Sequence, residues 1–254
     1  MCQITRTMKQ DRKTELLNKI LESGGDKVAN LAASMGVSEV TIRKDLSELE
    51  KQGLIKRLHG EAKILESDDI PFRMNLNYHQ KLHVARLAAE FVQDGDTIFI
   101  EAGSANAFFS QEIKKKNRIT VITSNVYIAR LFRDSAVQVI LLGGIYQFES
   151  ESLIGPFAKH ALEGLHFSKA FFGLSGFTYD TGFTLNDMMR ADIIRTIINK
   201  KIDNYIITDS SKFGITHANP FCQDFSKLKA VITDEHIPEE YLNYFKSKGL
   251  AVMY

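Results

Sequence analysis

The sequence predicts an α/β chain in two parts: a small helical head, then a mostly parallel sheet with helices on both faces. Three observations predict it. Apolar residues recur at helical spacing through the first part, broken by glycines at 24–25, 36 and 53. Residues 61–77 are acidic around Glu66, Asp68 and Asp69, contain Pro71 and lack sustained periodicity. Beyond them, short apolar runs alternate with helical segments, as strands buried on both faces of a sheet do.

Composition narrows the class. The chain has 254 residues, 44% hydrophobic and 25% charged, which excludes disordered and fibrous classes. No apolar run approaches the roughly 20 residues that span a bilayer, and MCQITRTMKQ lacks the apolar segment of a secretory signal. With only Cys2 and Cys222, far apart, a reduced, cytoplasmic protein is expected. Residues 1–63 carry 12 Lys/Arg against 9 Asp/Glu, and the remainder is net acidic. That asymmetry is mild, so pattern decides.

In the head, Leu16, Leu17, Ile20 and Leu21 predict a helix from about Thr7 to Glu22, and Val28 to Met35 a second. Gly36-Val37 makes the turn into a third, from Ser38 to about Gln52. Ile42, Leu46 and Leu49 fall at i, i+4, i+7 and form its buried stripe, with Ser38 at the N-cap. Thr41, Arg43, Lys44, Ser47 and Glu48 point away from that stripe. LIKRLHGEA then reads as a short hairpin carrying Lys56, Arg57 and His59. Three helices and a basic hairpin make a winged helix-turn-helix over residues 1–63, a fold that sets a helix in the DNA major groove. Arg43, Lys44, Lys56 and Arg57 are expected mainly at phosphates, Ser38, Glu39 and Thr41 nearer base edges, and His59 on the wing is also assigned to the DNA-binding surface. The partner is then a double-stranded DNA operator.

Residues 64–77 read as a linker, with Phe72 and Arg73 beginning to engage the next domain, 78–254. There a helix is expected from about His79 to Val92. Strands are expected at Thr97–Ile100, Thr120–Thr123, Val139–Leu142, Ala170–Phe172, Tyr205–Thr208, Val231–Thr233 and the terminal AVMY. The strand ends carry small polar residues: Glu101, Gly103, Ser104 and Asn106; Thr123, Ser124 and Asn125; Gly143 and Gly144; Asp209 and Lys212. Ligands of open parallel sheets bind beyond these ends, where loop amides and helix N-termini hold anions. A small phosphorylated effector is expected there, with Ser152 also assigned to the site.

Glu101 and Asp209 can be read as an acid/base pair or as groups that orient loop amides; the second is preferred, and no catalytic residue is assigned. His79 and His83 are four apart but lack a third ligand, so no metal and no cofactor are expected. Gly173-Leu-Ser175-Gly176 lacks nucleophile-elbow spacing. Phe171, Phe172 and Phe177 read as core.

Val37-Ser-Glu-Val-Thr-Ile-Arg-Lys-Asp-Leu46, Leu49-Glu50, Gly53-Leu54 and Arg57-Leu-His-Gly60 resemble the N-terminal signature of the DeoR family of bacterial transcriptional regulators. Lys81, Asp94-Gly-Asp-Thr-Ile98, Gly143-Gly144, Gly155 and Asp209-Ser-Ser-Lys-Phe-Gly214 are similar to its sensor domain. The strings GSANA, GGIYQFESES and GFTLNDMMR are similar to an enterobacterial branch. The resemblance implies a three-layer sensor similar to ribose-5-phosphate isomerases, a sugar-phosphate effector, and a homo-oligomeric repressor, dimer or tetramer, with no membrane partner. The chain departs from the family pattern at Glu101 (commonly Asp), Ala105, Thr123-Ser-Asn125, Ile194-Arg195 and Glu61. The alternative is a sugar-phosphate isomerase with a DNA-binding appendage.

Overall fold

The structure, a computed structural model, describes residues 2–52, 54–58, 61–64 and 69–254. The chain divides into two compact units, residues 1–78 and 79–254.

The first unit contains α1 (Cys2–Ser23), β1 (Asp26–Lys27), α2 (Val28–Met35), α3 (Glu39–Lys51), β2 (Ile55–Leu58), β3 (Glu61–Ile64) and α4 (Ile70–Met74). α2 stops at Gly36, whose φ of 64° is left-handed, letting the Val37 amide bond back to Ala32 (3.1 Å). α3 begins one residue after Ser38, whose Oγ accepts from the Thr41 amide (3.2 Å). The stripe read from the sequence is the buried one: Ile42, Leu46 and Leu49 pack with Leu16, Leu17, Ile20 and Leu31. Each such side chain contributes about 1.5–3 kcal/mol when covered. β2 and β3 pair antiparallel, Lys56 opposite Lys63, and β1 adds to β3, so the wing has three strands in the order β1-β3-β2.

Residues 64–77 are not all linker. Ile70–Met74 form α4, and Phe72 is buried in the cluster of the first unit. Five residues are too few to show a helical period, and Pro71, read as a breaker, sits in the first turn, where proline is tolerated.

The second unit runs α5 (Tyr78–Ala89), β4 (Thr97–Ile100), α6 (Ser104–Ile113), β5 (Thr120–Thr123), α7 (Val126–Leu131), β6 (Gln138–Leu141), β7 (Ile145–Gln147), β8 (Ser152–Ile154), α8 (Pro156–Glu163), β9 (Lys169–Phe172), β10 (Gly176–Thr178), β11 (Gly182–Leu185), α9 (Met188–Ile198), β12 (Asp203–Ile207), β13 (Asn219–Cys222), β14 (Ala230–Ile232), α10 (Glu239–Ser247) and β15 (Ala251–Met253). Seven strands form one parallel sheet in the order β15-β14-β12-β9-β4-β5-β6. Phe99, Ile122, Phe172, Ile206 and Val231 bury it from one face, packed against α8, α9 and α10 through Leu162, Ile194 and Phe245.

The chain enters at β4, moves outward through β5 to β6, then returns to β9 on the other side of β4. Strand order therefore reverses between β4 and β9, the kind of position beyond whose carboxyl ends open α/β sheets bind ligands. Two antiparallel pieces were not expected from the sequence: the β7–β8 hairpin and the small sheet β10-β11-β13.

Candidate functional site

On the head, Val40, Arg43, Lys44, Ser47 and Lys51 fall at i, i+3, i+4, i+7 and i+11 of α3, opposite the buried stripe. Arg43 bonds Glu39 one turn back (3.0 Å), both side chains being about half exposed, so the arginine is available to exchange this carboxylate for a phosphate. Ser38 and Thr41 lie side by side, their hydroxyls 2.9 Å apart. Val40, not assigned from the sequence, is 77% exposed in the first turn; an apolar group there suits a thymine methyl. Its signal was present, an apolar residue off the buried stripe.

Three ion pairs orient this helix. Arg12 of α1 grips buried Asp45 through Nε (2.6 Å) and Nη2 (3.0 Å). Lys13 pairs with Glu48. Arg57 donates through Nε (2.8 Å) to Glu50 and through Nη2 (3.1 Å) to Ser47, and its amide also reaches Glu50 (3.1 Å). These bonds hold the Glu50 carboxyl below its ordinary range. Arg57, expected at a phosphate, thus ties the wing to α3, while Lys56 stays exposed. Glu61 lies 3.9 Å from Lys63, which offsets the charge it brings to the wing. His59 lies outside the described residues.

In the second unit, the residues expected at the ligand site lie where the strands end, but many of their polar atoms already have protein partners. At the β4/β9 switch point, buried Glu101 meets buried Arg190: Nε (2.9 Å) and Nη2 (2.6 Å) both donate to Oε1, and Nη2 also to the Ala102 carbonyl (3.1 Å). Asn106 donates to the carbonyls of Glu101 (2.9 Å) and Phe171 (3.4 Å), joining the ends of β4 and β9. Its Oδ1 is buried without a hydrogen-bond partner. Gly173 closes over this group; a Cβ there would sit 3.3 Å from Glu101 Oε2 and from the Ala102 carbonyl. Gly103 precedes α6 with no side-chain cap, so the first amides of that ten-residue helix, at Ser104, lack the usual cap bond.

One strand over, Thr123 Oγ1 accepts the Asn125 amide (3.1 Å). Asn125 caps α7 through Oδ1 to Ile128 N (2.9 Å) and holds the hairpin through Nδ2 to the Ser150 carbonyl (2.7 Å) and Ser152 Oγ (3.2 Å). The Ser124 carbonyl accepts from Leu153 (2.6 Å). Gly144 is needed for packing: with φ at 155°, a Cβ would lie 2.5 Å from the Ile154 carbonyl oxygen, whereas Gly143 faces open space. The two clusters are joined. Gln147 of the hairpin donates to Asp187 (2.7 Å), Asp187 caps α9 by accepting the Arg190 amide (2.7 Å), and Arg190 holds Glu101. At the end of β12, buried Lys81 lies 3.8 Å from buried Asp209, which also accepts the Ser211 amide (3.2 Å), with Lys212 in the same turn.

Arg190, Asp187 and Gly173 were not read as site residues. The Arg190–Glu101 contact spans 89 positions, beyond any local pattern. His79 and His83 share a cleft of about 250 Å³ with Asp234, Glu235 and His236. Among the described residues no group of three or more His, Cys, Asp and Glu is placed to hold a metal ion.

Comparison with known proteins places both halves. The DeoR-like helix-turn-helix domain matches residues 12–68, and the DeoR C terminal sensor domain matches residues 76–235. The chain is a DeoR-family transcriptional regulator. The putative aga operon transcriptional repressor of Escherichia coli O157:H7 is 27% identical to this DeoR-family chain over 96% of its length and 93% of the relative's. The lactose phosphotransferase system repressor of Streptococcus mutans is 31% identical over 89% and 92%. Among solved structures, a ribose 5-phosphate isomerase from Methanocaldococcus jannaschii is similar over 54% of this chain and 55% of that one, at 19% identity and a TM-score of 0.40. No helix among the described residues is long and apolar enough to cross a membrane.

Proposed function

We propose that this regulator is a homo-oligomeric, cytoplasmic repressor whose grip on a double-stranded DNA operator is modulated by a small sugar phosphate bound at the β4/β9 strand ends. The observation that carries the reading is the pairing, in one chain, of an exposed basic helix face on a braced winged head with a sheet switch point at whose strand ends Gly103, Ser104, Asn106 and Gly173 meet. The α6 amides suit a phosphate, and the Asn106 Oδ1 acceptor suits a sugar hydroxyl. The names of the relatives, a putative repressor of the aga operon and a repressor of a lactose phosphotransferase system, support the same class.

The isomerase reading is less well supported. Catalysis needs a carboxylate free to take a proton, yet Glu101 faces Arg190 and Asp209 faces Lys81. We propose that these carboxylates position the loops and that the chain is not an enzyme. Regulation requires the effector to favour one arrangement of the heads; a coupling of about 1–3 kcal/mol changes operator affinity roughly 5- to 150-fold. Two heads address half-sites about 34–36 Å apart, or multiples of that. Footprinting of the full chain on its own upstream region tests the reading. A protected, sequence-specific, two-half-site footprint is expected; uniform protection would refute it.

A further inference from the structure

The second unit exposes apolar side chains that its own fold does not use. Phe148 is 79% exposed, Phe157 78%, Met188 62% and Ile145 60%, with Leu141 and Tyr146 near 40%. Most of them surround the β7–β8 hairpin, Tyr146 and Phe148 on one side of β7 and Ile145 on the other. β7 is the outer strand of the hairpin, since Ser152 and Ile154 of its partner β8 are buried. Tyr146 and Phe148 meet edge-on, ring centroids 5.0 Å apart. Ile145 Cδ1 lies against Gly155, two residues before Phe157. Gln147 is bonded to Asp187, next to Met188, and Leu141 ends β6 just before the hairpin.

We propose that this face is where a second copy of the chain docks, so that the β7–β8 hairpin is the subunit interface of the homo-oligomer; the inference rests on the homo-oligomeric reading given above. The size is right. Taking about 200 Å² for a fully exposed aromatic side chain, the three rings leave roughly 400 Å² in water and the whole set, spread over both sides of β7, about 700 Å². Monomers usually keep their largest apolar patch below about 600 Å², and a standard interface covers about 800 Å² per partner.

The chemistry favours a like copy. The border carries both signs, in the pairs Arg130–Glu151 and Lys159–Asp192 and in Glu149. A nucleic acid or an anionic membrane would call for one sign, whereas a two-fold contact matches each acid with its partner's base. Among the described residues β6 bonds only to β5 and β7 only to β8, leaving two open edges that a two-fold mate can pair or cover. A head with one recognition helix also needs a second head to read a spaced operator. Finally, the hairpin is bonded to Asn125, and through Asp187 to Arg190, so hydrogen bonds join the proposed interface to the ligand site.

The test is the mass of the full chain in solution, by light scattering on a sizing column, for wild type, Phe148→Asp, Phe157→Asp and the control Ile215→Asp, an exposed apolar site elsewhere. The expected result is an oligomeric wild type and control, with both hairpin-face variants at half the mass and unchanged circular dichroism. Oligomeric hairpin-face variants would overturn this surface while leaving the homo-oligomer standing; a wild type that is monomeric at every concentration would overturn both. Where a variant misfolds, amide exchange in the wild type decides. Protection of residues 145–148 that rises from dilute to concentrated protein supports the interface, and protection that does not change overturns it.

Discussion

Replacing Arg190 by Met leaves the Glu101 carboxylate buried opposite an apolar side chain. The structure sets the size of the effect. Glu101 is 2% exposed and Arg190 5%, and two bonds of 2.6 and 2.9 Å join them, with a third from the guanidinium to Ala102. Removing one partner of such a pair typically costs about 3–5 kcal/mol, because the remaining buried charge loses its ion-pair partner. In a unit of this size about 4 kcal/mol lowers the melting temperature by roughly 8–16 °C. Thermal unfolding of the full chain, followed by circular dichroism, reads this directly. The double variant Glu101→Gln/Arg190→Met removes both charges, so most of the loss should be recovered and the mutant cycle should show strong coupling. A single Arg190→Met variant that melts within about 2 °C of wild type, or a double variant no better than the single one, would refute the account of the switch point as braced by this pair.

Three further outcomes follow from named contacts. Lys56→Ala should reduce the slope of log affinity against log salt by about 0.9, the signature of one lost phosphate; an unchanged slope places Lys56 off the DNA. Arg57→Lys keeps the charge but not the fork on Glu50 and Ser47, so it should weaken operator binding nearly as much as Arg57→Ala, and full activity would make Arg57 a plain phosphate contact. Asn125→Ala removes the α7 cap and two bonds to the hairpin. Stability should fall by about 2–4 kcal/mol with faster amide exchange at 150–154, and unaltered exchange would separate the hairpin from the site.

The regular parts of this fold were legible because they rest on local period. The parallel strands follow apolar runs such as TIFI and TVIT, and α3 follows from Ser38 and its stripe. α4 was missed because one helical turn has no period to read, and Phe72 looks the same whether it covers the head or the sensor. The hairpin was not expected because Ile145 and Tyr146 are both exposed, so no inward–outward alternation marks the strand. At the site, the small polar residues read from the sequence do lie at the carboxyl ends of the parallel strands. What sequence does not carry is where a hydrogen bond goes: Thr123 and Asn125 suit a ligand or a local turn equally well, and in the structure Asn125 caps α7 while Thr123 accepts the Asn125 amide. Arg57 likewise reads as a phosphate ligand until Glu50 is seen beside it.

The most direct measurement of the central claim is the affinity of the full chain for its upstream DNA, by fluorescence anisotropy, with and without a panel of pentose and hexose phosphates screened by melting temperature. At least one compound that raises the melting temperature should shift the operator midpoint roughly 5- to 150-fold, and leave scrambled DNA weakly bound throughout. A compound that stabilises the protein while the operator midpoint stays fixed would contradict the claim that strand-end occupancy governs the head.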